Sequence, residues 1–194
     1  IPSQMFNAID SVPLTAIAFF MLTGELMTSA TITDRLVALS RALIGRIRGG
    51  LAQVNVLVSM FFAGMNGSVV ADTATVGALV LPAMKKAGYP AAFSAAVTGV
   101  SSTIGGIIPP SIMMIVLANS TEISIAALFA AGIIPGVLIG VVIMIINHYF
   151  AIKYNFERSD EPFSIRRAGR ELYRSSFALL IPLVLVGSVM GGVA

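Results

Sequence analysis

There is no cysteine in this sequence, no tryptophan, and a single histidine, His148. Without thiols neither a disulfide nor a thiolate metal centre can form, and one imidazole argues against a histidine-ligated metal. Charge is scarce as well. Only 11% of the 194 residues are Asp, Glu, Lys or Arg, whereas a soluble domain carries about 25%. No Walker loop, zinc motif or Ser/His/Asp set with credible partners can be found, and residues 99–105 resemble a glycine-rich phosphate loop only in composition. What is plentiful is apolar sequence: 57% of the residues are hydrophobic and the mean hydropathy is +0.94. The reading is an all-α, polytopic, integral membrane protein. The sequence pI near 9.6 does not imply nucleic acid, because the basic residues lie between apolar spans, where they report topology. The chain opens at Ile1 and ends inside an apolar run, which reads as an excerpt of a longer protein.

The most informative stretch is Ser101 to Ser111, SSTIGGIIPPS, in the middle of an apolar run over residues 91–117. Gly105 and Gly106 disfavour a helix, and Pro109 and Pro110 lack N–H groups and crowd the preceding turn. A break at membrane depth leaves backbone groups that lipid cannot satisfy, so it survives only inside protein or beside a watery cavity. A transport site is the functional reading, and a simple kink is the alternative.

In chain order, residues 12–30 form a first span, close to the ~20 residues a crossing needs. It carries Glu25, which should face protein or water, as a functional group or within a packing network. Residues 31–49 place Arg35, Arg41, Arg46 and Arg48 among aliphatic positions, a basic amphipathic helix suited to the interface, with Thr33 or Asp34 as its cap. Residues 51–84 are apolar but punctuated by Gly64-Met65-Asn66-Gly67-Ser68. The two arms are short for a crossing, and Arg46 and Arg48 precede them while Lys85 and Lys86 follow. A re-entrant hairpin with its tip at Asn66-Gly67-Ser68 fits; two tilted short spans fit the charges equally. Asp72 lies just past the tip, either as a carboxylate favoured by the helix N-terminus or as part of an ion site. The broken helix follows. Residues 123–146 form a full span with Pro135 near its middle and a small-residue seam at Gly132, Gly136 and Gly140. Residues 153–174 are charged, with Pro162 and Ser164 opening a second interfacial helix, and residues 175–194 begin another span. With this topology all 12 Lys and Arg residues fall on one side of the membrane.

Two interruptions supply helix C-termini with free carbonyls, suited to Na+, and helix N-termini, suited to an anion. Such discontinuous helices are a feature of secondary transporters. The residues at the breaks are hydroxyls, amides and glycines: Asn66, Gly67, Ser68, Ser101, Ser102, Thr103, Gly105, Gly106 and Ser111. Uncharged oxygens suit a cation that must leave again. Na+ is therefore assigned to Ser68, Ser101, Ser102, Thr103 and Gly105, substrate to Asn66, Gly67, Ser68, Pro110 and Ser111, and supporting roles to Asp72 and Glu25. Coupling follows if the cation fixes the tip and break before N–H groups near Ser68 and Ser111 meet the anion.

The order and spacing of several motifs go further. These are Gly24-Glu25-Leu26-Met27, Ile47-Arg48-Gly49-Gly50-Leu51-Ala52, Val70-Ala71-Asp72 and Leu81-Pro82-Ala83-Met84-Lys85-Lys86-Ala87-Gly88-Tyr89, then Ser101-Ser102-Thr103-Ile104-Gly105 with Ile108-Pro109-Pro110-Ser111-Ile112. Over nearly the whole chain the sequence resembles the large membrane subunit, or DctM-like permease, of tripartite ATP-independent periplasmic (TRAP) transporters. Members commonly show Ser-Gly-Ser-Ser at the tip, where this chain has Asn66-Gly67-Ser68-Val69. Gly106 stands where many have proline.

The resemblance implies an elevator-type, Na+-driven importer of organic acids in the bacterial inner membrane. A periplasmic binding protein delivers substrate, and a small DctQ-like membrane subunit extends the scaffold. It implies a scaffold helix over residues 1–34, an arm helix over 35–50, the re-entrant hairpin over 51–84 and the broken helix over 85–121. A transmembrane helix over 122–152, a second arm over 153–174 and the start of a scaffold helix over 175–194 complete the excerpt, about half of the subunit. A Na+/carboxylate symporter working without a binding protein shares this logic. A membrane-embedded enzyme would need a nucleophile and base elsewhere, and a purely structural subunit would be indifferent to changes at the breaks.

Overall fold

The computed structural model describes residues 18–19, 21–22, 32–44, 47–156 and 164–191. Most of the expected first span, with Glu25, lies outside the described residues. Among the described residues the regular structure is helical, with no strand. The helices are α1 (Ile32–Ile44), α2 (Gly50–Asn66), α3 (Val69–Lys86), α4 (Ala91–Ser102), α5 (Ile112–Thr121), α6 (Ile125–Lys153) and α7 (Ile165–Met190), with a 3-10 turn over Thr103–Gly106 between α4 and α5.

The basic amphipathic helix is α1. It is described over Ile32–Ile44, with Thr33 and Asp34 in the first described turn. Its apolar face, Leu36 and Leu39, is fully buried. Gly49 begins α2 with φ 72°, a left-handed conformation that glycine adopts without strain. A Cβ there would also run into Ala151 of α6, so the entry to α2 depends on glycine twice.

Helices α2 and α3 form a hairpin joined by Gly67 and Ser68. Its arms have 17 and 18 residues, longer than the sequence suggested, because α2 runs through Gly64 to Asn66 and α3 continues to Lys86. Gly67 closes α2 with φ 59°, and the Ser68 hydroxyl caps α3 by accepting from the Ala71 N–H at 3.3 Å. Helix α2 is the hub: it packs against α1, α3, α4, the 3-10 turn, α6 and α7. Phe62, Met65 and, from the turn, Ile104 are fully buried in one hydrophobic cluster.

The Ala91–Leu117 run is interrupted as expected. Helix α4 ends at Ser102, the 3-10 turn carries the chain to Gly106, a cis peptide joins Pro109 to Pro110, and Ser111 caps α5 through the Met114 N–H at 3.4 Å.

Helix α6 runs unbroken through Pro135 for 29 residues. It is the one described helix that is by itself long and apolar enough to cross a membrane. Its Gly132, Gly136 and Gly140 are not a helix–helix seam alone. A Cβ on Gly132 would strike the Ile107 carbonyl and Met114, one on Gly136 would strike Ile108, and one on Gly140 would strike Met60 of α2. Most of the groove therefore receives the broken stretch itself.

Capped by Ser164 through the Arg167 N–H, α7 continues to Met190 and bends by 63° between Ile165–Ser176 and Ala178–Val189. Its basic half pairs with α1: Arg35 donates to the Arg174 carbonyl at 3.1 Å, and the Ser175 hydroxyl donates to the Arg35 carbonyl at 3.3 Å.

Replacing Gly132 by leucine forces a side chain onto backbone that cannot retreat. It should cost about 1–3 kcal/mol and lower the thermal unfolding midpoint of the purified protein, as read by loss of the monodisperse size-exclusion peak on heating. An unchanged midpoint would show that the break does not sit in this groove.

Candidate functional site

The two interruptions meet. The Ile112 N–H, at the start of α5, donates to the Gly67 carbonyl at 3.3 Å. A Cβ on Gly67 would collide with the Pro110 carbonyl and lie 2.9 Å from Ser111 Cα. Gly105 in turn faces the Ser68 carbonyl group and the Val69 nitrogen, 3.7 Å from where its Cβ would be. Tip and break thus lie against each other on both sides of the turn, and the contact at Gly67 leaves no room for a side chain.

Of the residues assigned to substrate, Asn66, Gly67, Ser68, Pro110 and Ser111 are gathered at this contact. Asn66 Oδ1 accepts from the Ser68 N–H at 3.1 Å, closing the tip on itself. Ser111 is fully buried, and its hydroxyl donates to the Gly106 carbonyl at 2.9 Å. The N-termini of α3 and α5 therefore lie side by side, each capped by its own serine. The positive ends of two helix dipoles converge there.

The residues assigned to Na+ separate into two kinds. The Thr103 hydroxyl is exposed and donates to the Val100 carbonyl at 2.7 Å. The Ser101 hydroxyl is buried within reach of the Thr98 carbonyl at 3.1 Å, Ser59 Oγ at 3.1 Å and Asn55 Oδ1 at 3.4 Å. Ser102 Oγ, by contrast, is fully buried and has no hydrogen-bond partner. Facing it is Asp72, also fully buried, with neither carboxylate oxygen hydrogen-bonded. Ser102 and Ser59 are the hydroxyl side chains that neighbour this carboxylate.

The sequence reading missed the support beneath the site. Asn55 Nδ2 donates to Thr98 Oγ1 at 2.7 Å, linking α2 to α4. Ser94, Thr98 and Ser101 each donate back to a carbonyl of their own helix or its cap. The signal was present: Asn55 and Ser59 are four apart on α2, and Ser94, Thr98 and Ser101 follow helical spacing on α4. Each is a polar stripe on an otherwise apolar helix.

The sequence model described as "Tripartite ATP-independent periplasmic transporter, DctM component" matches residues 1–194. The chain belongs to this family. Members are integral membrane permease subunits of transporters, not enzymes. The chain is 39% identical over 190 residues to the sialic acid TRAP transporter permease protein SiaT of Haemophilus influenzae, covering 97% of this chain and 30% of that protein. It is 35% identical over 189 residues to the sialic acid TRAP transporter large permease protein SiaM of Vibrio cholerae, covering 97% and 44%. The C4-dicarboxylate TRAP transporter large permease protein DctM of Pseudomonas aeruginosa shows the same figures, 35% over 189 residues and 97% and 44%. The chain therefore spans less than half the length of these relatives.

Replacing Thr98 by valine would leave Asn55 Nδ2 buried beside a methyl group, with only the Met84 sulfur at 3.6 Å. A loss of about 1–3 kcal/mol follows for a buried donor stripped of its acceptor, measurable as a lower thermal midpoint. A neutral outcome would mean that the α2–α4 network adds nothing to holding the break.

Proposed function

We propose that this chain supplies one half of the binding site of a TRAP large permease that imports an organic acid with Na+ across a bacterial inner membrane. The observation that carries this reading is the seating of the hairpin tip on the break, with Gly67 against Pro110 and Ser111. Two irregular backbone segments supporting each other are what an ion-and-anion site built from helix ends requires.

The donor set fits Na+. Oxygens with unspent lone pairs remain on Ser102 and Asp72, and no group of three or more His, Cys, Asp or Glu that would favour a harder-held metal exists among the described residues. Ser102, with Ser68 and the carbonyls of Ser101, Thr103 and Gly105, would hold the ion. The hydroxyls of Ser101 and Thr103 are engaged in hydrogen bonds and serve the backbone instead. The anion belongs at the paired N-termini of α3 and α5, beside Asn66, Ser68 and Ser111, where dipole and N–H groups favour a carboxylate. Relatives named for sialic acid and C4-dicarboxylates support an acidic substrate.

The ends of the elements support the orientation. Arg48 donates to Asn155 Oδ1 at 3.0 Å, and Tyr89, just after Lys85 and Lys86, lies against Phe156 at 4.6 Å between ring centres. The start of α2 and the ends of α3 and α6 thus share one basic end, which is the cytoplasmic end by the positive-inside rule. The hairpin is then re-entrant, and α1 with the first half of α7 forms the surface arms of an elevator. The partners are a DctQ-like small subunit and a periplasmic binding protein.

In proteoliposomes with the complete permease, uptake should require both an inward Na+ gradient and the binding protein. Uptake without the gradient would defeat Na+ coupling; uptake without the binding protein would favour the stand-alone carboxylate symporter. Gly67→Val should abolish uptake while insertion into the membrane stays normal, because both its φ and its contact with Pro110 exclude a side chain. Normal uptake by that variant would contradict a seated tip.

A further inference from the structure

We propose that the C-terminal end of α6, with the start of α2 and the end of α3 beside it, is a docking surface for an anionic phospholipid. The headgroup sits at Lys153, and the acyl chains lie along the exposed apolar face of α6. The inference rests on the orientation proposed above, in which this end meets the cytoplasmic leaflet.

The first argument is the apolar surface. Helix α6 is long and apolar enough to cross a membrane. Leu138, Val141, Ile145, Tyr149 and Ile152 are all exposed on it. Their spacing of three or four residues puts them on one face of the helix. This strip runs along the second half of α6 and ends at Ile152, next to Lys153. Acyl chains of any lipid can lie on such a strip, so the choice of headgroup falls to the charges at its end.

Those charges have one sign. Lys85, Lys86 and Lys153 are exposed, and none has an acidic partner among the described residues. Arg48 donates to Asn155 Oδ1 at 3.0 Å, a neutral acceptor that leaves its charge uncancelled. Residues 47–58, 77–102 and 143–156 contain no Asp or Glu; Glu157, the next residue, lies outside the described residues. The field of basic groups reaches about a Debye length from the surface, so a headgroup need not touch all four.

Aromatic rings join these cations into one preformed surface. Lys153 Nζ lies 5.8 Å from the centre of the Tyr154 ring. Tyr154 stacks on Phe150 and Phe156, with ring centres 5.9 and 6.0 Å apart. Phe156 meets Tyr89, three residues after Lys86, and Tyr149 packs edge-on against Phe150. Tyr149 and Tyr154 are exposed, and such amphipathic rings settle at the depth of the headgroups. A free phosphate or an acidic soluble partner would use the cations and leave the apolar strip unused; a phospholipid uses both.

The test uses the purified, full-length permease complex in mixed micelles with a phosphatidylglycerol probe that carries a photoactivatable acyl chain. Cross-links mapped by peptide mass spectrometry should fall within residues 138–152, and unlabelled phosphatidylglycerol should suppress them better than phosphatidylcholine of the same chain length. Lys86→Gln combined with Lys153→Gln should weaken competition by phosphatidylglycerol roughly twentyfold, at a factor of about five per lysine, and leave phosphatidylcholine unchanged. Equal competition by the two lipids in the parent overturns the proposal, as does an unchanged phosphatidylglycerol preference in the variant. Suppression by inorganic phosphate alone would reveal a free-anion site. Loss of the small subunit from the variant on size exclusion, with the lipid preference intact, would reveal an acidic protein partner. Either result overturns the lipid site. Should the double variant fail to assemble, Lys153→Gln alone decides by the same readout. Micelles carry no Na+ gradient, so this result is independent of uptake: failure of the lipid site leaves Na+-coupled transport standing, and Na+-independent uptake leaves the lipid preference to be read.

Discussion

A backbone amide or carbonyl stranded in hydrocarbon costs several kcal/mol, and each of the two interruptions relieves the other of that penalty. The carbonyl released where α2 ends at Gly67 takes the N–H released where α5 begins at Ile112. The remaining free groups are met locally. Asn66 folds its side chain onto the Ser68 N–H, Ser68 and Ser111 cap the helices they open, and the Ser111 hydroxyl satisfies the Gly106 carbonyl. Neither interruption has that full set of partners alone. The tip and the break therefore form one structural unit although distant in the chain, and Gly67 at the contact is the condition for it.

That unit is held from below by α2. Apolar burial around Phe62, Met65 and Ile104 anchors the turn in the core, and the Asn55–Thr98 and Ser59–Ser101 contacts fix the register of α4 against the hairpin. On the other side, α6 receives Ile107, Ile108 and Met114 at Gly132 and Gly136. An irregular segment enclosed between a polar network and a glycine groove is constrained in position without needing regular structure of its own.

Much of this was legible in the residues, because clustered Gly and Pro act together through covalent geometry. The break at residues 101–111, the tip at Gly67-Ser68 and the Ser164 start were all readable for that reason. Pro135 was readable only as a hazard, since whether proline breaks a helix depends on what surrounds it, and α6 absorbs it. The distribution of roles among hydroxyls was not legible. Ser101, Ser102 and Thr103 are adjacent and chemically alike, but successive residues on a helix point in different directions. One therefore joins the α2–α4 network, one faces Asp72, and one bonds back to Val100. Asp72 likewise had a sufficient local explanation in the helix N-terminus; only the packing of α2, α4 and the 3-10 turn on α3 shows that it is fully buried.

The connections also limit how the site can move. The tip is bonded to α5, beyond the break, through Gly67 and Ile112, while the arm leading to the tip is bonded to α4, before the break, through Asn55 and Ser59. The hairpin thus bridges both halves of the broken helix. Displacing one half against the other would strain a contact on the far side, so the hairpin and the two halves are disposed to travel together. Motion at the break would require backbone bonds, the Gly67 contact and a buried polar network to be broken at once.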